Sequence, residues 1–135
     1  MLELAASTAR GVDVRVIVPG SRTPYPLLLY ANRNRYRRLF DAGVRVFEFG
    51  PTMMHAKTAV ADGVLSLVGS ANLGHRSARS NDELTACVYD SDFARKLEER
   101  FEEDLSCCVE VGVDRPSPRL SRLVEALAGF VEPFL

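Results

Sequence analysis

The chain has 135 residues, of which 47% are hydrophobic and 26% are charged, and its formal net charge is −1 at pH 7. This is the composition of an ordinary globular domain, and it excludes a disordered, collagen-like or coiled-coil protein. The near-zero net charge predicts neither nucleic acid nor a membrane as a partner. No apolar run reaches the roughly 18 residues of a transmembrane helix.

Two further features bear on location. The chain begins Met1-Leu2-Glu3-Leu4, without the basic and apolar regions of a signal peptide. Cys87, Cys107 and Cys108 are odd in number and lack metal-type spacing, which favours reduced thiols. Both features predict a cytoplasmic protein.

Charge is distributed unevenly along the chain. Residues 22–45 are rich in arginine and contain Asp41 as their only acid, whereas residues 90–114 are mainly acidic. Two interpretations remain open. The segments are either solvated helix faces, or the arginine-rich one meets phosphate or an anionic lipid surface.

The first half of the chain alternates between helical and β patterns. Apolar spacing predicts helices over residues 2–10 and 27–41, and β-branched runs predict strands over residues 12–18 and 44–49. A loop is expected over residues 21–26. Turn signals end the segments: Gly11, Pro19, Gly43 and Gly50. The second helix would direct these side chains to the core: Leu29, Tyr36, Leu39 and Phe40.

The second half continues the alternation and indicates an α/β fold. A hairpin over residues 55–70 and a strand over residues 83–89 precede a helix capped by Asp90 or Ser91. The predicted buried stripe of that helix is Phe93, Leu97, Phe101 and Leu105. Pro116 and Pro118 open a last amphipathic helix, whose apolar face is Leu120, Leu123, Val124, Leu127 and Val131.

The candidate functional residues lie on the predicted hairpin. Asp62-Gly63 between two strand-like runs, residues 55–61 and 64–70, is typical of a tight turn. With a two-residue loop, His55 faces Ser70 and Lys57 faces Val68. Side chains alternate with period two. His55, Lys57 and Ser70 should therefore share a face with Asn72, and the opposite face should be mostly core: Ala56, Thr58, Val60, Leu65 and Leu67.

These residue types suit phosphoryl chemistry. A neutral imidazole such as His55 can attack phosphorus and form a covalent intermediate. Lys57, Ser70 and Asn72 can hold the phosphate oxygens whose charge changes in the transition state. No cofactor or metal is expected, because the histidine itself is the nucleophile and no ligand-type cluster accompanies it. A single histidine or lysine in a strand is usually structural, but the joint pattern favours a phosphodiester site.

The spacing His55-x-Lys57-x4-Asp62-x6-Gly69-Ser70-x-Asn72 resembles the HKD signature of the phospholipase D superfamily. Other segments are similar to the C-terminal half of bacterial cardiolipin synthases: residues 11–20, 41–46, 76–77, 81–83 and 101–105. The resemblance implies a phospholipase D-like half over residues 1–110, a mixed β-sheet flanked by helices, with a single HKD motif on a β-hairpin. By this resemblance we expect the family's first strand to be missing and residues 111–135 to form a C-terminal amphipathic helix.

The resemblance also implies roles for the site residues. His55 is the histidine that handles the phosphoryl group, and Lys57 grips the phosphate together with Ser70 and Asn72. Asp62 completes the catalytic signature, although its place in the turn favours a role in orienting the hairpin. Glu83 corresponds to an acid that orients an active-site histidine, and a surface acid remains the alternative. His75 is expected at the surface.

The activity implied is transfer of a phosphatidyl group between phosphatidylglycerol molecules through a phosphohistidine. Two alternatives stay open: a homodimeric lipid hydrolase or nuclease, and an inactive or complementing half-domain. A nuclease should show a broad basic groove, which the net charge of −1 disfavours.

The family has two HKD motifs and this chain has one, so a second half is expected as a partner. The partner is a second copy in a homodimer or a separate N-terminal half. The arginine-rich segment and the last helix can make peripheral contact with the inner face of the cell membrane. Packing of that helix on the domain or on a partner half is the favoured alternative.

Overall fold

The computed structural model describes residues 2–20, 22, 36, 39–72 and 82–112. Most of the predicted loop and second helix, His75, and the whole last helix lie outside these residues. The elements in chain order are α1 (Leu2–Ala9), β1 (Arg15–Pro19), β2 (Arg45–Phe49), β3 (Thr58–Ala61), β4 (Leu65–Gly69), β5 (Thr85–Tyr89), α2 (Ser91–Ser106) and β6 (Cys108–Glu110). This mixed α/β content confirms the predicted fold class.

The described residues form two compact units. One contains the residues up to Met54 together with those from Cys107 onward, and the other is His55–Ser106. The predicted site residues that the structure describes all fall in the second unit. No helix in the described part of the chain is long and apolar enough to cross a membrane.

The first unit is a three-stranded sheet in the order β1-β2-β6. β1 runs parallel to β2, with Arg15 opposite Arg45, and β6 runs antiparallel to β2. Tyr36, Val44 and Val46 are buried and form its core, against which residues of α1 and β1 pack. α1 ends as predicted, because Gly11 adopts a φ of 87°, which a residue without Cβ tolerates.

Two predictions for this unit are wrong in detail. β1 was expected over residues 12–18, but it begins at Arg15 and includes Pro19. Among the described strands β1 lies at the edge of its sheet, where proline is tolerated because a missing N–H breaks no ladder bond. The strand β6 was not expected, since three residues are too few to show an alternating pattern.

The second unit is an antiparallel sheet in the order β3-β4-β5, with α2 packed against β3 and β4. Asp90 is the cap of α2, because its carboxylate accepts the Phe93 N–H at 2.8 Å. The Asp90 N–H in turn donates to the carbonyl of Val64 at 3.0 Å. The helix start is thereby bonded to the β3–β4 loop.

The buried positions of this unit differ from those predicted. Ser66 of β4 and Ala94 of α2 are both 0% exposed, whereas Phe93, predicted in the buried stripe, is 38% exposed. Small side chains such as those of Ser66 and Ala94 let a helix approach a sheet closely. Leu97, Phe101 and Leu105 of the predicted stripe are half-buried.

The hairpin register is one residue away from the predicted one. Ala61 pairs with Leu65 and Val60 pairs with Ser66, so the loop has three residues, Asp62 to Val64. Val64 is held in the loop because its N–H donates to Ala61 O at 3.2 Å while its carbonyl accepts from Asp90. A one-residue shift exchanges the two faces of a strand relative to its neighbour. Val60 therefore lies on the same face of the hairpin as Ser66. The prediction that Val60 shares an apolar face with Leu65 and Leu67 is wrong.

Candidate functional site

Apart from Asp62, the predicted site residues that the structure describes lie at or near one end of the β3-β4-β5 sheet. In an antiparallel sheet of this order, the start of β3, the end of β4 and the start of β5 are neighbours. Lys57 immediately precedes β3, Ser70 follows β4, and Glu83 comes just before β5. The Gly69 N–H donates to the carbonyl of Lys57 at 3.1 Å, which ties the first two strand ends together.

The register changes which residues face each other across the hairpin. Lys57 lies opposite Gly69, and the same register places Ser70 opposite Ala56 rather than opposite His55. The predicted His55–Ser70 pair is therefore wrong. Residues 55–57 precede the β3 ladder, so strand alternation no longer determines the direction of their side chains.

The Lys57 ammonium is folded back on the main chain of His55. Its Nζ donates to the His55 carbonyl oxygen at 2.7 Å. An ammonium carries three donors, so this bond occupies only one of them. His55 is exposed and Lys57 is half-buried. The two residues of the predicted motif are thus held next to each other, with the imidazole accessible to solvent.

Ser70 is fixed by two hydrogen bonds to a residue that the sequence did not single out. Its N–H donates to the Leu84 carbonyl at 2.9 Å, and its Oγ accepts the Leu84 N–H at 3.1 Å. A hydroxyl that accepts one bond still carries its own proton as a donor. Ser70 can therefore donate to an anion while its oxygen holds the start of β5 in place.

Gly69 makes this arrangement possible. A Cβ at this position would lie 2.3 Å from Leu84 O and 2.7 Å from Thr85 Cα. Only glycine lets the two backbones come so close. The signal available in the sequence was a glycine inside a strand, which often marks a close backbone approach.

The two remaining polar residues flank the same end of the sheet. Asn72 is exposed and follows Ser70, and Glu83 is half-buried and precedes Leu84. His75 and the Arg76-Ser77 pair lie outside the described residues. Within the described ranges, no group of three or more histidine, cysteine or acidic side chains is arranged to hold a metal ion.

Asp62 lies at the opposite end of the hairpin. Asp62 and Gly63 both have positive φ angles, 53° and 66°, and they form the turn between β3 and β4. The four residues of β3 lie between Lys57 and Asp62, and the five steps of about 3.3 Å along the chain separate these two residues by roughly 16 Å. Its position is therefore suited to shaping the turn and not to contacting a group bound at Lys57.

Lys57, Ser70 and Glu83 thus lie at three adjoining strand ends, and His55 and Asn72 are each two residues along the chain from one of them. Ammonium and hydroxyl donors of this kind can bind an anion such as a phosphate ester. The fold around them is that of the phospholipase D family. A solved member of that family, Nuc from Salmonella typhimurium, superposes with a TM-score of 0.61 at 18% identity, over 79% of this chain and 69% of that chain.

Comparison with known sequences identifies the family to which the chain belongs. The family model described as the phospholipase D-like domain of cardiolipin synthase matches residues 1–105. The chain belongs to this family. It is 35% identical to cardiolipin synthase 2 of Bacillus anthracis over 134 residues, or 98% of this chain. It is 37% identical to cardiolipin synthase A of Proteus mirabilis over 135 residues, or 97% of this chain. The chain spans only 26% and 28% of the lengths of these two relatives.

Proposed function

We propose that this chain supplies one catalytic half of a phosphatidyltransferase of the cardiolipin synthase type. The observation that carries the proposal is the pairing of Lys57 with the His55 main chain at the strand end next to Ser70. The relatives are named cardiolipin synthases, which supports a phospholipid substrate, and we propose that this substrate is phosphatidylglycerol. The reaction would transfer a phosphatidyl group from one phosphatidylglycerol to another.

The reaction proceeds in two displacements at phosphorus. An imidazole nitrogen of His55 attacks, a P–N bond forms, and the P–O bond to the glycerol head group breaks as glycerol takes up a proton. In the second step a hydroxyl of another phosphatidylglycerol loses its proton and attacks. The P–N bond then breaks and His55 is regenerated. Water in place of the second lipid would give hydrolysis by the same chemistry.

The other residues bind and position the phosphate. The Lys57 ammonium and the Ser70 hydroxyl proton are donors to the non-bridging oxygens, and Asn72 adds an amide donor. Glu83 supports the site from the start of β5. Asp62 maintains the turn of the hairpin, which sets the register and so the position of Gly69 and Ser70.

A second half completes the site. Each displacement needs a group that gives or takes a proton on the side opposite the nucleophile. A second copy of this chain, or a separate N-terminal half, would supply that group. We place the assembly at the cytoplasmic surface of the membrane, where its lipid substrate resides.

The test is trapping of the covalent intermediate. The protein, alone and mixed with a separately expressed N-terminal half of a relative, is incubated with phosphatidylglycerol labelled in the phosphatidyl moiety and quenched in base, which preserves phosphohistidine. We expect label on His55, its loss in His55→Ala, and its retention in His75→Ala, which alters the other of the two histidines. Labelling that survives His55→Ala, or no labelling in either mixture, would contradict the proposal. Cardiolipin or phosphatidic acid among the products distinguishes transfer from hydrolysis.

A further inference from the structure

Leu84 combines a fixed backbone with an exposed apolar side chain. Its N–H and its carbonyl are both bonded to Ser70, and its carbonyl lies against Gly69. The residue as a whole is nevertheless 81% exposed, slightly more than Tyr89 at the other end of β5, which is 79% exposed. Leu84 is thus held in place at the site without being covered.

An exposed leucine alone says little, because single apolar residues are common on protein surfaces. The position of Leu84 is what distinguishes it. It is bonded directly to the serine whose hydroxyl is a donor at the proposed phosphate site. When a ligand covers an apolar side chain, no backbone entropy is lost if the backbone is already fixed. Most of the free energy gained by burying that side chain then contributes to binding.

We infer that Leu84 contacts the apolar part of the lipid substrate, at the glycerol ester and first acyl carbons. The inference rests on the proposed function for the position of the phosphate. In a phospholipid the acyl esters are separated from the phosphate only by the short glycerol backbone. A lipid phosphate bound at Ser70 therefore brings acyl carbons to the neighbouring side chain. Leu84 selects for a lipid phosphodiester over a water-soluble one.

The chain contains no tryptophan, which permits a direct test. Leu84→Trp and Tyr89→Trp each place a single fluorophore at one end of the same strand, at positions of nearly equal exposure. The full chain is titrated with phosphatidylglycerol vesicles, with and without brominated acyl chains as quenchers. We expect the Leu84→Trp emission to shift to the blue and to lose most of its intensity with the brominated lipid. The Tyr89→Trp emission should not change.

A binding measurement provides a second readout. Leu84→Asn should bind the same vesicles about tenfold more weakly than the wild type in a sedimentation assay. This is the loss of affinity expected when a leucine side chain is no longer buried against the lipid. Tyr89→Asn should sediment like the wild type. Equal responses at both positions, or none at either, would overturn the inference. Because neither readout needs turnover, phosphohistidine labelling at His55 without any response of Leu84→Trp would contradict the inference and leave the proposed function standing.

Discussion

Gly69→Ala is the substitution for which the structure gives the sharpest expectation. Its Cβ would lie 2.3 Å from Leu84 O, 2.7 Å from Thr85 Cα and 2.8 Å from Thr85 Oγ1. Two of these atoms belong to the backbone and cannot rotate away. Relative to ordinary contacts of about 3.5 Å, β4 and β5 would have to separate by roughly 1 Å at this point.

The energetic cost has two parts. Forcing a methyl group into a packed position costs about 1–3 kcal/mol. The separation also strains the two hydrogen bonds between Ser70 and Leu84, each contributing about 0.5–1.5 kcal/mol when fully formed. Because both residues are exposed, water replaces much of what those bonds contribute. We therefore expect a loss of about 2–3 kcal/mol in the free energy of unfolding, or a fall in Tm of roughly 10 °C.

Urea and thermal unfolding of purified Gly69→Ala check this value. Gly50→Ala is the matched control, because the nearest atom to its Cβ is Cys107 O at 3.9 Å. We expect Gly50→Ala to change stability by less than about 0.5 kcal/mol. If Gly69→Ala unfolds at the same urea concentration as Gly50→Ala, then β4 and β5 do not approach as closely as described, and the account of Ser70 is wrong.

Two further predictions concern the turn and the first unit. Asp62→Asn should leave both stability and phosphohistidine labelling unchanged, because asparagine tolerates the φ of 53°. Asp62→Val should lower the free energy of unfolding in urea by about 1–2 kcal/mol, because a β-branched residue does not tolerate this φ. If Asp62→Asn folds but is not labelled, the carboxylate itself acts in the reaction. In the first unit, the Arg45 guanidinium holds the pKa of Glu110 below its ordinary value of 4.5, chiefly through hydrogen bonds of 2.9 and 3.0 Å. Because the pKa of Glu110 is lower in the folded protein than in the unfolded one, the ion pair stabilises the fold at neutral pH, and this stabilisation is lost as the pH falls through the folded pKa. The urea midpoints of the wild type and of Glu110→Gln should therefore converge in acid. A difference between the two midpoints that does not depend on pH would show that the ion pair is not its cause.

Local chemistry made much of the fold predictable from the sequence. Asp62-Gly63 adopts the positive φ angles that the tight turn requires, and Asp90 caps α2 through a contact only three residues away. Interactions of this kind depend on neighbouring residues, so a sequence pattern is enough to reveal them. The α/β class follows from the order of such segments.

The errors arose where distant residues decide the outcome. Val64 joins the loop because its carbonyl accepts from the N–H of Asp90, a residue that is distant along the chain and is brought next to Val64 by the pairing of β5 with β4. That contact shifts the hairpin register by one residue, and no pattern within the hairpin reports it. No sequence pattern singles out Leu84 either, since its proximity to Ser70 depends on how β5 pairs with β4.

The shifted register alters how the HKD spacing is to be understood. If His55 and Ser70 faced each other in a regular ladder, two-residue alternation would aim both side chains at a common ligand. Residues 55–57 instead precede the ladder, and Ser70 follows it, so both lie where the chain has left the strand. Backbone hydrogen bonds from Gly69 to Lys57 and from Ser70 to Leu84 hold these strand ends together. On this basis we expect the glycine of the motif to be required alongside its histidine and lysine, because no larger residue permits the approach that positions the serine.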